Sequence, residues 1–183
     1  MLNEVWLFFK NPIYEPYQNY TEGQKLTAII KLIGLTVIFS FVSGIITTIV
    51  TQLLHVDLGS HDLEKAFDTY PLLVIFILGV FVAPIIEETI FRYPLYFFRK
   101  IPFFKISFYS SVVLFGAIHI MNYSTYLEYL WLLPILVLPQ LFAGVFLGFT
   151  RVKLGFKWSI LLHTAHNGIV FIPIIIAKLL GIS

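Results

Sequence analysis

Glu87, Glu88 and Arg92 stand in the stretch Ala83-Pro-Ile-Ile-Glu-Glu-Thr-Ile-Phe-Arg92, His119 ends Phe115-Gly-Ala-Ile-His119, and His163, His166 and Asn167 fall in His163-Thr-Ala-His166-Asn167. Each cluster interrupts an otherwise apolar run. If a carboxylate, two imidazoles and an amide converge, two chemistries are open. In the first, Glu87 takes a proton from water that one histidine orients, while the other histidine and Asn167 donate hydrogen bonds to the oxyanion of a peptide carbonyl. In the second, Glu87, His119 and His163 ligate a divalent metal such as zinc, which lowers the pKa of bound water. Asparagine is a poor zinc ligand and there is no H-E-x-x-H signature, which favours the oxyanion role for Asn167. Cysteine chemistry is excluded because the chain has no cysteine. Serine chemistry lacks a G-x-S-x-G elbow.

The spacings assign partners. Glu88 and Arg92 are four apart with the acid first, the order that suits a helical ion pair. Glu87 points about 100° away from Glu88 on a 3.6-residue helix, so the two acids cannot share one partner equally. One is expected to be held by Arg92 while the other faces a cavity. Pro84 removes a backbone donor just upstream and is expected to bend or widen the helix there. Phe115 and His119 share a face, as do His163 and Asn167. His166 either faces the cavity or packs beside it. His55 and His61 lie among Asp57 and Asp62 in what reads as a solvated loop.

These residues need elements that carry them into lipid. Of 183 residues, 58% are hydrophobic and 12% charged, about half the charge of a soluble domain. Five apolar segments, Leu26–Leu54, Tyr70–Phe91, Phe108–Met121, Leu127–Thr150 and Trp158–Leu180, approach the roughly 20 residues that cross a bilayer. Pro173 divides the last one if it breaks the helix, so five or six spans are expected. The fold class is therefore all-α: a polytopic transmembrane helix bundle with a cytoplasm-facing intramembrane cavity. Residues 26–183 form a single transmembrane domain, with the motifs in 70–180. Residues 1–25 lack the apolar stretch of a cleavable signal peptide and read as an interfacial leader, with Trp6, Phe8, Phe9, Tyr14, Tyr17 and Tyr20 suited to headgroups.

Lys and Arg fall on alternate loops. Lys10, Lys25, Lys31, Arg99, Lys100, Lys105, Arg151, Lys153 and Lys157 share one side, while Lys65 and Lys178 lie on the other. Cytoplasmic loops carry such an excess, so the N-terminus is expected in the cytoplasm. From that topology Glu87 lies roughly 25 Å along the second helix, with His119 about 16 Å and His163 about 8 Å up theirs. The depths overlap on the cytoplasmic side. A carboxylate at such depth costs roughly 2.5–3.5 kcal/mol and marks a functional site by default. A net charge of +2 argues against nucleic acid as a partner.

Glu87-Glu-Thr-Ile-Phe-Arg92, Phe115-Gly-Ala-Ile-His119 and His163-Thr-Ala-His-Asn167 resemble, in order and spacing, the EExxxR, FxxxH and HxxxN motifs of the CPBP family, the CAAX proteases and bacteriocin-processing enzymes. The resemblance covers about Tyr70 to Leu180. It implies an intramembrane endopeptidase acting on a peptide or membrane-protein substrate within the lipid bilayer. It implies that Glu87 activates water with help from His119, that His163 and Asn167 form the oxyanion pair, and that Glu88 with Arg92 supports them. Members are described both as metalloproteases and as glutamate-dependent enzymes without a tightly held metal. The cofactor expectation is accordingly either none or a divalent metal such as Zn2+. The short chain points to a bacterial cytoplasmic-membrane member with a peptide target other than a prenylated protein. The competing reading is a noncatalytic or transport-like membrane protein in which Glu87, His119 and His163 relay protons or bind an ion. The nontitrating Asn167 has little use in a relay.

Overall fold

Apolar runs this long can satisfy their backbone in lipid only as helices or closed barrels, and a computed structural model, which describes residues 1–100 and 102–181, is helical. Beyond one isolated bridge between His61 and Tyr123, no strand pairing occurs among the described residues. Helix α1 covers Leu2–Lys10, α2 Glu22–Leu53, α3 Asp62–Thr69, α4 Leu72–Ile77 and α5 Ala83–Phe91. Then come α6 at Phe103–Ile118, α7 at Leu133–Leu136, α8 at Leu138–Lys153 and α9 at Phe156–Leu179. A π turn, Leu78–Val82, joins α4 to α5 in one rod. Short 3-10 turns follow α5 and α6.

Four rods are long and apolar enough to cross a membrane: Glu22–Leu53, Leu72–Tyr96, Phe103–Asn122 and Phe156–Leu179. Tyr126–Leu136 and Leu138–Lys153, bent by 50°, bring the number to five when the pair is counted as one span. Of the two expected counts, five fits. Helix α9 runs through Pro173 without a break. Proline is tolerated inside such helices because neighbours and local adjustment satisfy the freed backbone groups.

Helix α2 starts where Thr21 and Gln24 exchange side-chain and backbone hydrogen bonds of 3.2 and 2.8 Å, a capping box that satisfies two otherwise orphaned donors. At the centre lies α8, buried from Ala143 to Val152 except for Val145 and packed against α1, α2, α6 and α9. Its Gly144 and Gly148 form the small-xxx-small spacing that lets helices approach closely. A Cβ on Gly148 would sit 2.7 Å from the Phe108 ring of α6, so the two helices touch because that atom is missing. The leader is not loose. Val5 and Phe8 of α1 are buried in the main core, the Tyr109 hydroxyl donates to the Phe9 carbonyl at 2.6 Å, and Tyr17 N–H donates to the Lys153 carbonyl at 3.0 Å.

Candidate active site

Three rods bring the chemistry-bearing groups together: α4–α5 with its π turn, α6 with the 3-10 turn after it, and α9. Glu88 is fully buried, and its Oε1 accepts from His163 Nδ1 at 3.1 Å while lying 3.7 Å from Arg92 Nε. The ion pair expected from the i, i+4 spacing is present. Arg92, also fully buried, lays its guanidinium 3.8 Å over the Phe115 ring. A Cβ at Gly144 would fall 3.4 Å from both Nη2 and the Phe115 ring, so the backbone of α8 lies against this stacked pair.

Glu87 stands differently. Its side chain is 26% exposed, and Oε2 lies 3.5 Å from His163 Nε2 with no hydrogen-bond partner of its own. The His163 ring therefore sits between the two acids, nearer to Glu88. Donation of Nδ1–H to Glu88 fixes the ring so that Nε2 is aimed at the Glu87 side. Unequal sharing, expected from the 100° offset, takes this form.

His119 begins the 3-10 turn beyond α6, and its Nδ1 lies 2.7 Å from the Phe115 carbonyl. A carbonyl can only accept, so Nδ1 carries the proton and Nε2 keeps its lone pair. Among the described residues no hydrogen bond joins His119 to Glu87. The link is the Phe115 ring, whose centroid is 4.9 Å from that of His119 and 5.6 Å from that of His163.

The widening expected upstream of the acids is the π turn, and its logic is local. Ala83 N–H donates to the Leu78 carbonyl, so in the same i→i+5 register the Gly79 carbonyl awaits residue 84. That residue is proline and has no N–H. Asn167 Nδ2 donates to the Gly79 carbonyl instead, at 2.9 Å. A Cβ on Gly79 would lie 2.5 Å from the Phe171 ring, so only glycine lets α9 close on the turn. Asn167 Oδ1 then faces His166 Nδ1 at 3.3 Å, and His166 Nε2 meets Ser40 Oγ of α2 at 3.1 Å. Of the two sequence alternatives for His166, it packs beside the cluster and bonds Asn167.

Sequence reasoning missed Arg151. It counts there as a loop cation, yet it is helical and 6% exposed, because Nε donates to the Arg92 carbonyl at 3.2 Å and Nη1 to the Tyr14 hydroxyl at 3.3 Å. Ser111 donates to the Phe91 carbonyl at 2.7 Å. Ser111 thus supplies a donor to a carbonyl at the end of α5, and Arg151 adds a second to the Arg92 carbonyl, which already accepts from Leu95 N–H at 3.2 Å. The available signal was a cation directly abutting an apolar run. His61 is also less solvated than expected: its Nδ1 accepts from Leu63 N–H at 3.0 Å and caps α3, and burial lowers its pKa against the opposing pull of Glu64 and Asp62.

A metal would need three protein ligands in a catalytic zinc site. Among the described residues no group of three His, Cys, Asp or Glu side chains is placed to hold one. His163 and His119 each engage Nδ1 with an oxygen, of Glu88 and of the Phe115 carbonyl, and turn Nε2 elsewhere, a pattern that metal-binding histidines also use. Glu87, His119 and His163 are nonetheless the residues that would hold a metal, which would supply a polarised water; no step below passes through one.

A family model described as type II CAAX prenyl endopeptidase, Rce1-like, matches residues 69–169. The matched span holds all three motif clusters and leaves out α1 and α2. No curated protein and no solved structure gives a significant match.

Proposed function

The chain belongs to the Rce1-like type II CAAX prenyl endopeptidases, a family of intramembrane proteases, and from that premise we propose that it hydrolyses a peptide bond with Glu87 as the base. The observation that carries this reading is the unlike setting of two adjacent acids: each keeps one oxygen without a hydrogen-bond partner, but Glu88 is fully buried beside Arg92, whereas Glu87 is 26% exposed. A base must keep acceptor capacity that water can reach. Glu87 does; the free oxygen of Glu88 is sealed.

In the proposed reaction, the water oxygen bonds to the carbonyl carbon as one water proton passes to Glu87, and His119 Nε2 accepts a hydrogen bond from the other. The carbonyl π electrons move to oxygen. With both ring nitrogens protonated, His163 donates to Glu88 through Nδ1 and to the oxyanion through Nε2. The second amide hydrogen of Asn167 is the other donor. Collapse of the intermediate breaks the C–N bond, and the amine leaves with the proton from Glu87, which regenerates the carboxylate. Each oxyanion donor of this kind contributes roughly 10²–10³ in rate.

The protein is an integral membrane protein, and we place its N-terminus in the cytoplasm. The cations support this orientation. Lys153 pairs with Glu15 at 3.9 Å and Lys157 with Glu22 at 3.5 Å, so the leader and the turn between α8 and α9 share one cation-rich end. The substrate is a peptide segment that enters from that end.

The test is cleavage of a fluorogenic peptide panel, prenylated and unmodified, by purified protein in detergent. Glu87→Gln is expected to lower kcat by roughly 10²- to 10⁴-fold without altering the melting temperature. Cleavage at the wild-type rate would sink the reading. Activity retained after exhaustive chelation is the expected companion result, and its loss would show that a metal takes part.

A further inference from the structure

An amide serves an oxyanion only if it presents nitrogen, not oxygen, to the site. Asn167 is a symmetric-looking fork on one rotatable bond, so something must choose. Two contacts do so in the same sense. The Gly79 carbonyl, left without a helical donor by Pro84, accepts from Nδ2 at 2.9 Å. His166 Nδ1 lies 3.3 Å from Oδ1. If the amide were flipped, carbonyl would face carbonyl at Gly79.

The tautomer of His166 follows. To oppose Oδ1, Nδ1 must carry a proton, and the neutral ring then has its lone pair on Nε2. That nitrogen is 3.1 Å from Ser40 Oγ, whose hydroxyl can donate. The Ser40 hydroxyl, the His166 ring, the Asn167 amide and the Gly79 carbonyl thus form one directed chain across α2, α9 and the π turn, every proton used in one direction. We propose that His166 and Ser40 are positioning residues that lock Asn167 with its remaining N–H toward the reacting carbonyl. This rests on the oxyanion role for Asn167 in the reaction above. It also gives α2, which lies outside the matched span, a part in the chemistry.

The measurement is kcat and KM of purified His166→Phe, His166→Asn and Ser40→Ala proteins, alone and in an Asn167→Ala background. Phenylalanine keeps the bulk and removes both hydrogen bonds, whereas an asparagine amide nitrogen overlays the imidazole Nδ1. His166→Phe is expected to lower kcat about 10- to 100-fold, up to the cost of losing one oxyanion donor, with KM within about twofold. His166→Asn is expected to recover most of that loss. Ser40→Ala, a one-oxygen change that keeps the fold even if His166→Phe does not, is expected to lower kcat about threefold, a small fraction of the cost of a lost donor. In Asn167→Ala protein these substitutions are expected to cost nothing further, because residues acting as a unit are non-additive.

Wild-type kcat in both His166→Phe and Ser40→Ala would overturn the proposal, as would an undiminished cost in the Asn167→Ala background. Those outcomes leave the protease reading intact if Glu87→Gln is inactive. An active Glu87→Gln protein would instead remove that reading, and this inference with it.

Discussion

The lower end of the rod formed by α4 and α5 and the π turn two helical turns above it are built on opposite plans. Glu88 and Arg92 are fully buried: Phe115 stacks on the guanidinium, Gly144 lies against the pair, His163 holds the acid, and Arg151 and Ser111 tie down the final carbonyls. Around Gly79 the groups are half-buried and held by single hydrogen bonds in series. Complete burial and ring stacking, not hydrogen bonds from the guanidinium, make the lower end a fixed reference. The serial chain above it makes orientation of one amide depend on each link. Glu87 lies between the two, anchored in position by the first and opposite a donor oriented by the second.

The contrast is tested most severely at Arg92. Arg92→Met leaves Glu88 as a buried charge without its cation, which costs about 3–5 kcal/mol; detergent-phase unfolding should show it, with activity lost alongside. An unfolding midpoint equal to wild type would mean the lower end is no more essential to the fold than the upper.

A smaller effect is expected at the π turn. Gly79→Ala drives a Cβ to 2.5 Å from Phe171, and overpacking of that kind costs about 1–3 kcal/mol. The expected signature is a larger fall in kcat than in stability, because α9 must shift Asn167 from the carbonyl. Adding Phe171→Leu should restore much of the activity. No rescue would show that the turn tolerates displacement.

The smallest effect belongs to neither region. Burial holds the pKa of His61 below its ordinary value near 6.5, although Glu64 and Asp62 pull it upward. The unfolded chain thus binds the proton more readily than the folded one, so this contribution is complete above pH 6.5 and declines as pH falls below it. Protonation at Nδ1 also ends the cap to Leu63 N–H, a loss of about 1 kcal/mol. Melting curves from pH 7.5 to 5 should show the decline, and His61→Asn, still able to cap, should flatten it.

Much of this was legible in the chain. Periodic spacing alone paired Glu88 with Arg92 and aligned His163 with Asn167, and Pro84 announced a distorted helix beside the acids. Those signals are local, set by 3.6-residue geometry and one missing donor. The length of the apolar runs likewise foretold five paths through lipid. Arg151 and Ser40 were illegible for the opposite reason: Arg151 finds the Arg92 carbonyl 59 residues away, and Ser40 finds His166 across 126. Nothing near either residue encodes its partner. Pro173 left five or six spans open, because a proline removes one hydrogen bond without deciding whether neighbours keep the helix whole. His166 stayed ambiguous until a contact from α2 gave its ring a direction.

The bond between Arg151 and the Tyr14 hydroxyl closes a loop of 137 residues. During synthesis the leader therefore leaves the ribosome long before the helices it rests on exist. Phe8 meets Phe108 of α6 as well as Phe149 of α8, so α1 gains part of its surface when α6 is in place and the rest only with α8. The end of α5 is not fully secured until α8 has brought Arg151 to both Arg92 and Tyr14.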